Sequence, residues 1–417
     1  MTSPVPSLIE LATRARAAGR IVARASTDAR EEALRRSADL LEQRVDRVLE
    51  ANAADVQRAT RAGADPTSLD RLRLDPGRLA AMATALRTVA AQPDPVGEVV
   101  DGWVRPNGLR VERVRVPLGV VWIIYENRPN VTSDAAALCL KSGNAVLLRG
   151  SSSAIGSNAV IASALRDGLD KAGLPIDAVG LVEDTTRSSA VGFMQLEGLI
   201  DCLIPRGGPS LVASVVEHAT VPYVLDGAGN CHVYVHAGAD LAMAESIVVN
   251  AKTQRPGVCN SAETLLVDAA VAGAFLPGLP AALPGVRLVG DAQTRALLPG
   301  VDEATDEDFA TEFLDLTLSV AVVADLDAAI EHISRFGSGH SEAIVTSDLA
   351  AALRFTGEVD AAAVVVNAST RLVDGEELGL GAEIGISTQK LHARGPMGLR
   401  ELTSVKYVLM GNGQVRS

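Results

Sequence analysis

The chain has 417 residues, of which 47% are hydrophobic and 3% aromatic, so two or more domains with aliphatic cores are expected. The formal charge of −13 argues against a nucleic-acid partner, and no apolar run is long enough to cross a membrane. The N-terminus lacks a secretory signal and the four cysteines lack CxxC spacing, which favours a protein of the reducing cytoplasm.

The first part of the chain is predicted to be helical. Apolar residues recur at helical spacing through residues 5–92, and Asp65-Pro66 and Asp75-Pro76 mark breaks between helices. Residues 99–117 then alternate apolar and polar types around Pro106-Asn107-Gly108, which predicts a β-hairpin.

From Gly119 the chain alternates between strands and helices. Strands are predicted at 120–125 and 144–149, helices at 132–141 and 154–172, and further strands near 178–182, 199–204 and 223–225. This βαβ pattern is typical of a parallel sheet with helices on both faces.

A second α/β part begins near Cys231. It has a strand at 231–237, a helix at 240–252, a strand at 262–268 and a last strand at 363–367. Gly-rich loops and a strand at 403–409 complete the chain. The expected domains are therefore 1–228, 229–367, and a C-terminal segment, 368–417, that returns to the first part.

Cys259 stands alone in a polar turn between that helix and strand, in the segment AKTQRPGVCNSAETLLV (251–267). Gly257 permits a tight bend, and Lys252 and Arg255 are cationic neighbours along the chain. A thiol in this setting is a candidate nucleophile. The alternative is a small buried hydrophobe, the usual role of a free cysteine.

This segment resembles the catalytic loop of the gamma-glutamyl phosphate reductases, a family in the aldehyde dehydrogenase superfamily. Three further segments carry the resemblance, which runs from about residue 16 to residue 410: IIYENRPNVTSDAAALCLKSGNAVLLRG (123–150), IPRGG (204–208) and AAIEHISRFGSGHSEAIVTSD (328–348). It implies an aldehyde dehydrogenase-like α/β fold. It also implies two doubly wound α/β domains, one for the cofactor and one for catalysis, plus an oligomerisation element made of the hairpin and the C-terminal segment.

The resemblance also implies an activity. L-glutamyl 5-phosphate would be reduced with NADPH to L-glutamate 5-semialdehyde and phosphate through a cysteine thioester, as the second step of proline biosynthesis. A small-molecule substrate, a homo-oligomer and functional coupling to glutamate 5-kinase are the partners it implies.

Within the resemblance Cys259 is the nucleophile, and its backbone N–H is one donor to the tetrahedral oxyanion. Two residues are candidates for the second donor. Asn127 aligns with the asparagine of the superfamily pattern PWNFP, whereas Asn130 matches an asparagine kept by the reductases. The alternative for each is a side chain that satisfies a loop backbone.

Cofactor residues are expected where sheet strands end. Arg149, Ser151 and Ser152 would hold the 2′-phosphate of NADPH, and Arg206, Gly207 and Gly208 would approach the pyrophosphate. Glu312, in TEFLDLTLSV, matches the glutamate of the superfamily pattern EIFGPV that binds the nicotinamide ribose. The alternative for both arginines is a solvated loop position.

Substrate contacts are assigned to Arg255, for the acyl phosphate, and to His340 and Ser341 in GSGHSEAI. Asp226, in LDGAG (225–229), replaces the water-activating glutamate of hydrolytic dehydrogenases, although a turn cap is an alternative role. No metal site is expected, because His232 and His236 are too far apart on one strand to share an ion.

Three other functions remain open. An aldehyde dehydrogenase of the same fold could oxidise a small aldehyde to an acid, but Asp226 and GHSEAI argue against it. A non-catalytic protein of the same fold is disfavoured by the intact cysteine loop. A cysteine hydrolase is disfavoured because no histidine is linked by a motif to the thiol.

Overall fold

The computed structural model describes residues 7–416, which form two compact units. Unit 1 contains the described residues up to Leu225, with Leu380–Gly385 and the segment from Met397 onward. Unit 2 contains Asp226–Gly379 and Ile386–Pro396. Among the described residues, none of the helices has the length and apolar character needed to traverse a bilayer.

The elements are numbered here in chain order. Up to Leu225 they are α1 (Leu8–Val22), α2 (Thr27–Gln43), α3 (Val45–Arg61), α4 (Pro66–Leu72), α5 (Pro76–Ala91), β1 (Val99–Val104), β2 (Arg110–Pro117), β3 (Val120–Tyr125), α6 (Asn130–Lys141), β4 (Ala145–Arg149), α7 (Ile155–Lys171), β5 (Val179–Leu181), α8 (Arg187–Met194), β6 (Cys202–Arg206) and α9 (Pro209–His218).

Unit 2 follows with β7 (Cys231–Val235), α10 (Leu241–Thr253), β8 (Ala262–Asp268), α11 (Ala269–Phe275), α12 (Leu279–Ala282), β9 (Arg287–Gly290), α13 (Ala292–Leu297), β10 (Asp302–Glu303), α14 (Asp306–Ala310), β11 (Thr317–Val323), α15 (Leu326–Phe336), β12 (Ser341–Val345), α16 (Leu349–Glu358), β13 (Ala363–Val366), β14 (Ile386–Ser387) and β15 (Gly395–Pro396). The last strand, β16 (Thr403–Met410), belongs to unit 1. Short 3-10 turns lie at Ser152–Ala154, Ile176–Ala178, Leu276–Gly278 and Thr370–Leu372.

Side-chain caps explain where the N-terminal helices begin. Ser7 and Glu10 form a capping box at the start of α1, and Ser26 caps α2. Asp65 and Asp75 cap α4 and α5, each followed by a proline at the first helical position. The predicted helical region is confirmed from Leu8 onward; residues 5 and 6 lie outside the described part.

The first α/β sheet has four parallel strands in the order β5-β4-β3-β6. Strands β3 and β4 are buried along their whole length, as their continuous apolar sequences predict. The strand predicted near 223–225 is wrong. Only a single bridge, between Leu203 and Tyr223, joins that segment to β6, because the chain then leaves the sheet.

The predicted hairpin forms the outer sheet of unit 1. Strands β1 and β2 pair antiparallel, Gly108 adopts φ +83° in the turn, and β16 pairs with the other side of β2. Its two outer strands leave large apolar side chains exposed, among them Val99, Val104, Tyr407 and Leu409.

Unit 2 is built on seven parallel strands in the order β10-β9-β11-β8-β7-β12-β13. Alternate residues of β7 belong to two different cores: Val233 and Val235 pack with α10, whereas Tyr234 packs with α15 and α16. Helices therefore cover both faces of this sheet, as a doubly wound fold requires.

The amino ends of three central strands meet at one edge of this sheet. Strand β7 begins at Cys231, β8 at Ala262 and β12 at Ser341, and the pairing keeps these starting points side by side. The loops that precede these strands lie at this edge, and one of them carries Cys259.

Candidate active site

Cys259 lies half-buried in the turn between α10 and β8. Helix α10 ends at Thr253, since Pro256 lacks a donor and disfavours helical backbone at the residue before it. The other three cysteines are buried, and burial raises the pKa of all three thiols, to about 12 in the case of Cys202. Cys259 is therefore the cysteine within reach of a ligand.

The backbone of Cys259 is hydrogen-bonded to a second thiol, that of Cys231. The Cys231 S–H donates to the Cys259 carbonyl oxygen across 3.2 Å, and its sulfur lies 3.6 Å from Nδ1 of His340. That nitrogen also lies 2.8 Å from the Ser341 hydroxyl oxygen. His340 and Ser341 are fully buried, and burial lowers the pKa of His340 to about 4. Through Cys231, the contacts of these two residues support the loop that carries Cys259.

Glu312 fixes the segment that packs against Cys259. Its Oε1 accepts the Gly229 N–H at 2.8 Å. A Cβ on Gly229 would lie 1.6 Å from the Cys259 carbonyl oxygen, so only glycine permits this approach. Burial raises the pKa of Glu312, while the hydrogen bond from Gly229 opposes that rise.

Lys252, a neighbour of the thiol along the chain, forms a buried salt bridge instead. Its ammonium lies 2.6 Å from Oε2 of Glu263, and both side chains are fully buried. Burial raises the pKa of Glu263 to about 7 against the opposing influence of Lys252. The other Glu263 oxygen accepts the Leu314 N–H at 3.2 Å. This pair ties α10 to β8 on the two sides of the cysteine turn.

Two arginines belong to the surroundings of the turn. Arg255 is exposed, as its position in a polar loop suggests. Arg371, which the sequence analysis missed, donates from Nε to Oε1 of Gln254 at 2.9 Å and from Nη1 to Oδ1 of Asn260. Asn260 in turn donates to the Val373 carbonyl at 2.9 Å. Burial, and to a lesser degree the charge of Arg255, lowers the pKa of Arg371.

Asp226 acts as a backbone cap. Its Oδ1 accepts the Ile386 N–H at 2.9 Å, and Gly227 donates to the Ile386 carbonyl at 3.0 Å.

The two histidines of the predicted strand 231–237 have separate partners: His232 lies 2.9 Å from Glu342, and His236 lies 2.8 Å from Thr346.

In unit 1 the two candidate asparagines differ in what they bind. The side-chain oxygen of Asn127 accepts hydrogen bonds from the hydroxyls of Ser151, at 2.6 Å, and Ser153. The amide nitrogen of Asn130 instead donates to Asp134 at 2.9 Å, one turn further along α6. Among residues 7–416, Asn127 therefore keeps its amide donor available, whereas Asn130 has committed one N–H to a carboxylate.

The guanidinium of Arg149 is fixed at the carboxyl end of β4. Its Nη2 donates to the carbonyls of Thr185, at 2.7 Å, and Thr186, at 2.8 Å, while its buried Nε has no partner in the described structure. Ser152 is exposed on the following turn. Arg149 and Ser152 thus lie where parallel strands end, the usual ligand edge of such a sheet.

Arg206 ends strand β6, which is separated from β4 by β3, and Gly208 caps α9. The Gly208 N–H donates to Oε1 of Glu126 at 3.2 Å, and a Cβ on Gly207 would come within 2.8 Å of the same oxygen. The Glu126 carboxyl group therefore lies against this backbone turn and accepts one of its N–H groups.

Comparison with known proteins places this geometry in a family. Residues 7–308 match the model of the aldehyde dehydrogenase family. The gamma-glutamyl phosphate reductase of Thermobifida fusca is 54% identical and covers 100% of both chains; that of Moorella thermoacetica is 55% identical and covers 97% of both. The crystal structure of gamma-glutamyl phosphate reductase from Thermotoga maritima, 47% identical, matches with a TM-score of 0.97 over 99% of this chain and 100% of that one. The chain therefore belongs to the aldehyde dehydrogenase family and, within it, to the gamma-glutamyl phosphate reductases.

Proposed function

We propose that the chain reduces L-glutamyl 5-phosphate with NADPH to L-glutamate 5-semialdehyde, with release of phosphate, as the second step of proline biosynthesis. The observation that carries the proposal is Cys259, the one half-buried thiol among four, on a loop fixed by Cys231 and Gly229. Full-length relatives at 52% to 55% identity bear the name of this activity.

The thiolate of Cys259 attacks the acyl carbon, a C–S bond forms, and the C–O bond to phosphate breaks with its electron pair leaving on phosphate. The Cys259 N–H and, in this proposal, the Asn127 amide stabilise the oxyanion. Asn127 is preferred to Asn130 because its oxygen binds hydroxyls and its amide nitrogen stays available. A bound nicotinamide cofactor supplies hydride. Cys259 then leaves as a thiolate when the aldehyde is released.

The residues present fit a dinucleotide phosphate. The buried, unpartnered Nε of Arg149, together with Ser151 and Ser152 on the turn that follows β4, supports binding of the 2′-phosphate and hence NADPH rather than NADH. The tight turn at Arg206, Gly207 and Gly208 would hold the pyrophosphate. Glu312 would hold the nicotinamide ribose.

Substrate contacts remain part of the proposal. Arg255 is exposed and cationic, so it would bind the acyl phosphate. His340 and Ser341 are fully buried, so they would support the substrate site indirectly. They would do so by holding the Cys259 loop in place through Cys231. None of these roles asks for a general base, since hydride transfer to a thioester does not need one.

The absence of hydrolysis is the feature to test. Because Asp226 caps the Ile386 backbone, it is not placed as a free base for water. With semialdehyde and NADP⁺ but no phosphate, the enzyme is expected to form at most a single equivalent of NADPH per site and stop. Added phosphate should restart turnover, as an absorbance assay will show. Steady NADPH formation without phosphate, at a comparable rate, would identify an oxidising aldehyde dehydrogenase instead.

The exposed apolar side chains on β1 and β16 support a homo-oligomer formed through this sheet. Light scattering of the purified protein tests it, and a monomer at micromolar concentration would contradict it.

Functional coupling to glutamate 5-kinase is part of the proposal, because an acyl phosphate hydrolyses readily. A cytoplasmic location is also part of it, because Cys259 must stay reduced.

A further inference from the structure

Arg371 holds both ends of the cysteine turn. Its Nε bonds Gln254, the residue before Arg255, and its Nη1 bonds Asn260, the residue after Cys259. The backbone N–H of Arg371 donates to the Ser369 hydroxyl at 3.2 Å, which fixes the 3-10 turn that carries it. The guanidinium is therefore held against the loop, although Arg371 is 117 residues from Gln254 and 111 residues from Asn260 in sequence.

The charge of this arginine is not balanced by a direct partner. Gln254 and Asn260 are neutral amides, and across residues 7–416 neither Arg255 nor Arg371 forms an ion pair. Asp374 and, less strongly, Cys259 and Glu377 favour the charged form of Arg371, whereas burial and Arg255 oppose it. A half-buried guanidinium beside a second cation is costly unless an anion binds. In a chain of net charge −13, this imbalance is a specific local feature.

We propose that Arg371 and Arg255 together bind the phosphate group of the acyl phosphate, and inorganic phosphate in the reverse direction. This inference deepens the proposed function and rests on it. Arg255 precedes Cys259 in the loop, Arg371 bonds the residue that follows Cys259, and phosphate is attached directly to the reacting acyl group. The α-carboxylate lies at the far end of the glutamyl chain, which makes it the less suitable occupant.

The pair would assist departure of phosphate. When the Cys259 thiolate attacks, the C–O bond breaks and the electron pair remains on the leaving phosphate oxygen. Two guanidinium groups stabilise that developing charge, and the planar donors of Arg match phosphate geometry. In reverse, a phosphate oxygen attacks the thioester, the new C–O bond forms, and Cys259 leaves as a thiolate. Arg371 also keeps the loop in place, because Nε and Nη1 bind it while Nη2 remains for the ligand.

The test uses Arg371→Gln, with Arg255→Gln as a second variant at an exposed position where folding is not at risk. Arg354→Gln is the control, since Arg354 pairs with Asp327 and Glu358 on the surface of unit 2. In the reverse assay both site variants should raise the KM for phosphate by roughly 10- to 100-fold. In Arg255→Gln, the KM for semialdehyde and the single equivalent of NADPH formed without phosphate should stay within about twofold of wild type, as should all parameters of the control.

A second readout needs no cofactor. Inorganic phosphate should slow the alkylation of Cys259 by iodoacetamide in the wild type and in Arg354→Gln, but not in Arg371→Gln or Arg255→Gln. An unchanged KM and unchanged protection in Arg371→Gln would overturn its role. A rise in the KM for semialdehyde alone would assign the pair to the α-carboxylate and overturn the phosphate site. If phosphate protects wild-type Cys259 but supports no turnover, the anion site stands and the proposed function falls; if it does neither, both fall.

Discussion

Replacement of Gly229 by alanine should damage the cysteine loop without unfolding unit 2. The added Cβ would lie 1.6 Å from the carbonyl oxygen, 2.3 Å from the carbonyl carbon and 2.6 Å from the Cα of Cys259. Real Cβ contacts are essentially never shorter than 3.0 Å, and the obstacle is backbone rather than a flexible side chain. The cysteine backbone must therefore retreat by more than about 1 Å, a displacement that costs roughly 10²-fold in rate.

The assay is phosphate-supported NADPH formation, together with the rate of Cys259 alkylation and the melting temperature. We expect kcat of Gly229→Ala to fall by about 100-fold, because the retreat also strains the bond from Cys231 to the Cys259 carbonyl. Gly357→Ala is the matched control. Gly357 lies in α16 with open space around the added methyl group, so activity should be unchanged and stability equal or higher by about 0.4–1 kcal/mol. Turnover of Gly229→Ala within twofold of wild type would refute the reasoning.

Three further outcomes are expected. Cys259→Ser should abolish turnover and the fast phase of iodoacetamide labelling, whereas serine at Cys139 or Cys202, which are buried in unit 1, should leave both largely intact; near-normal turnover of Cys259→Ser would rule out the thioester. Arg149→Ala should raise the KM for NADPH far more than that for NADH, by on the order of 1.5–3 kcal/mol in binding, and equal losses would move the 2′-phosphate site to Arg206. Burial among Phe309 and Phe336 lowers the pKa of His332 to about 3. The unfolded chain then binds the proton first, so stability falls as pH drops from about 6.5 toward 3, by up to about 1.4 kcal/mol per pH unit. Melting curves at pH 7 and pH 5 should show a smaller drop for His332→Phe, and an equal drop would contradict that assignment.

Much of the fold could be predicted from local sequence patterns. The continuous apolar runs of β3 and β4 and the Asn-Gly turn at Gly108 are readable from a few neighbouring residues, and these predictions are confirmed. The family and fold class expected from the cysteine loop and its companion segments are also confirmed. The strand at 223–225 was predicted because its residues favour extended backbone. It does not form, because Leu203 is the only residue of the described chain with which this segment pairs.

The surroundings of Cys259 were less accessible to sequence reasoning. Lys252 seemed relevant to the thiol because it is near in sequence, yet the turn between α10 and β8 brings it to Glu263. Gly229 and Arg371 reach the loop only through the tertiary fold, and neither carries a local pattern that points to Cys259. The roles assigned to the cofactor and substrate residues stay predictions.

The distribution of aromatic residues has a practical consequence for following the protein in solution. Both tryptophans belong to unit 1: Trp122 is fully buried and stacked on Phe193 at 5.2 Å, whereas Trp103 is 39% exposed on β1 beside Tyr407. Intrinsic fluorescence should therefore give two separable signals, a blue-shifted one from the first sheet and a solvent-sensitive one from the hairpin. Unit 2 contributes no tryptophan emission of its own, so local opening around Cys259 should be invisible to that method. Hydrogen exchange or thiol reactivity would be needed to see it.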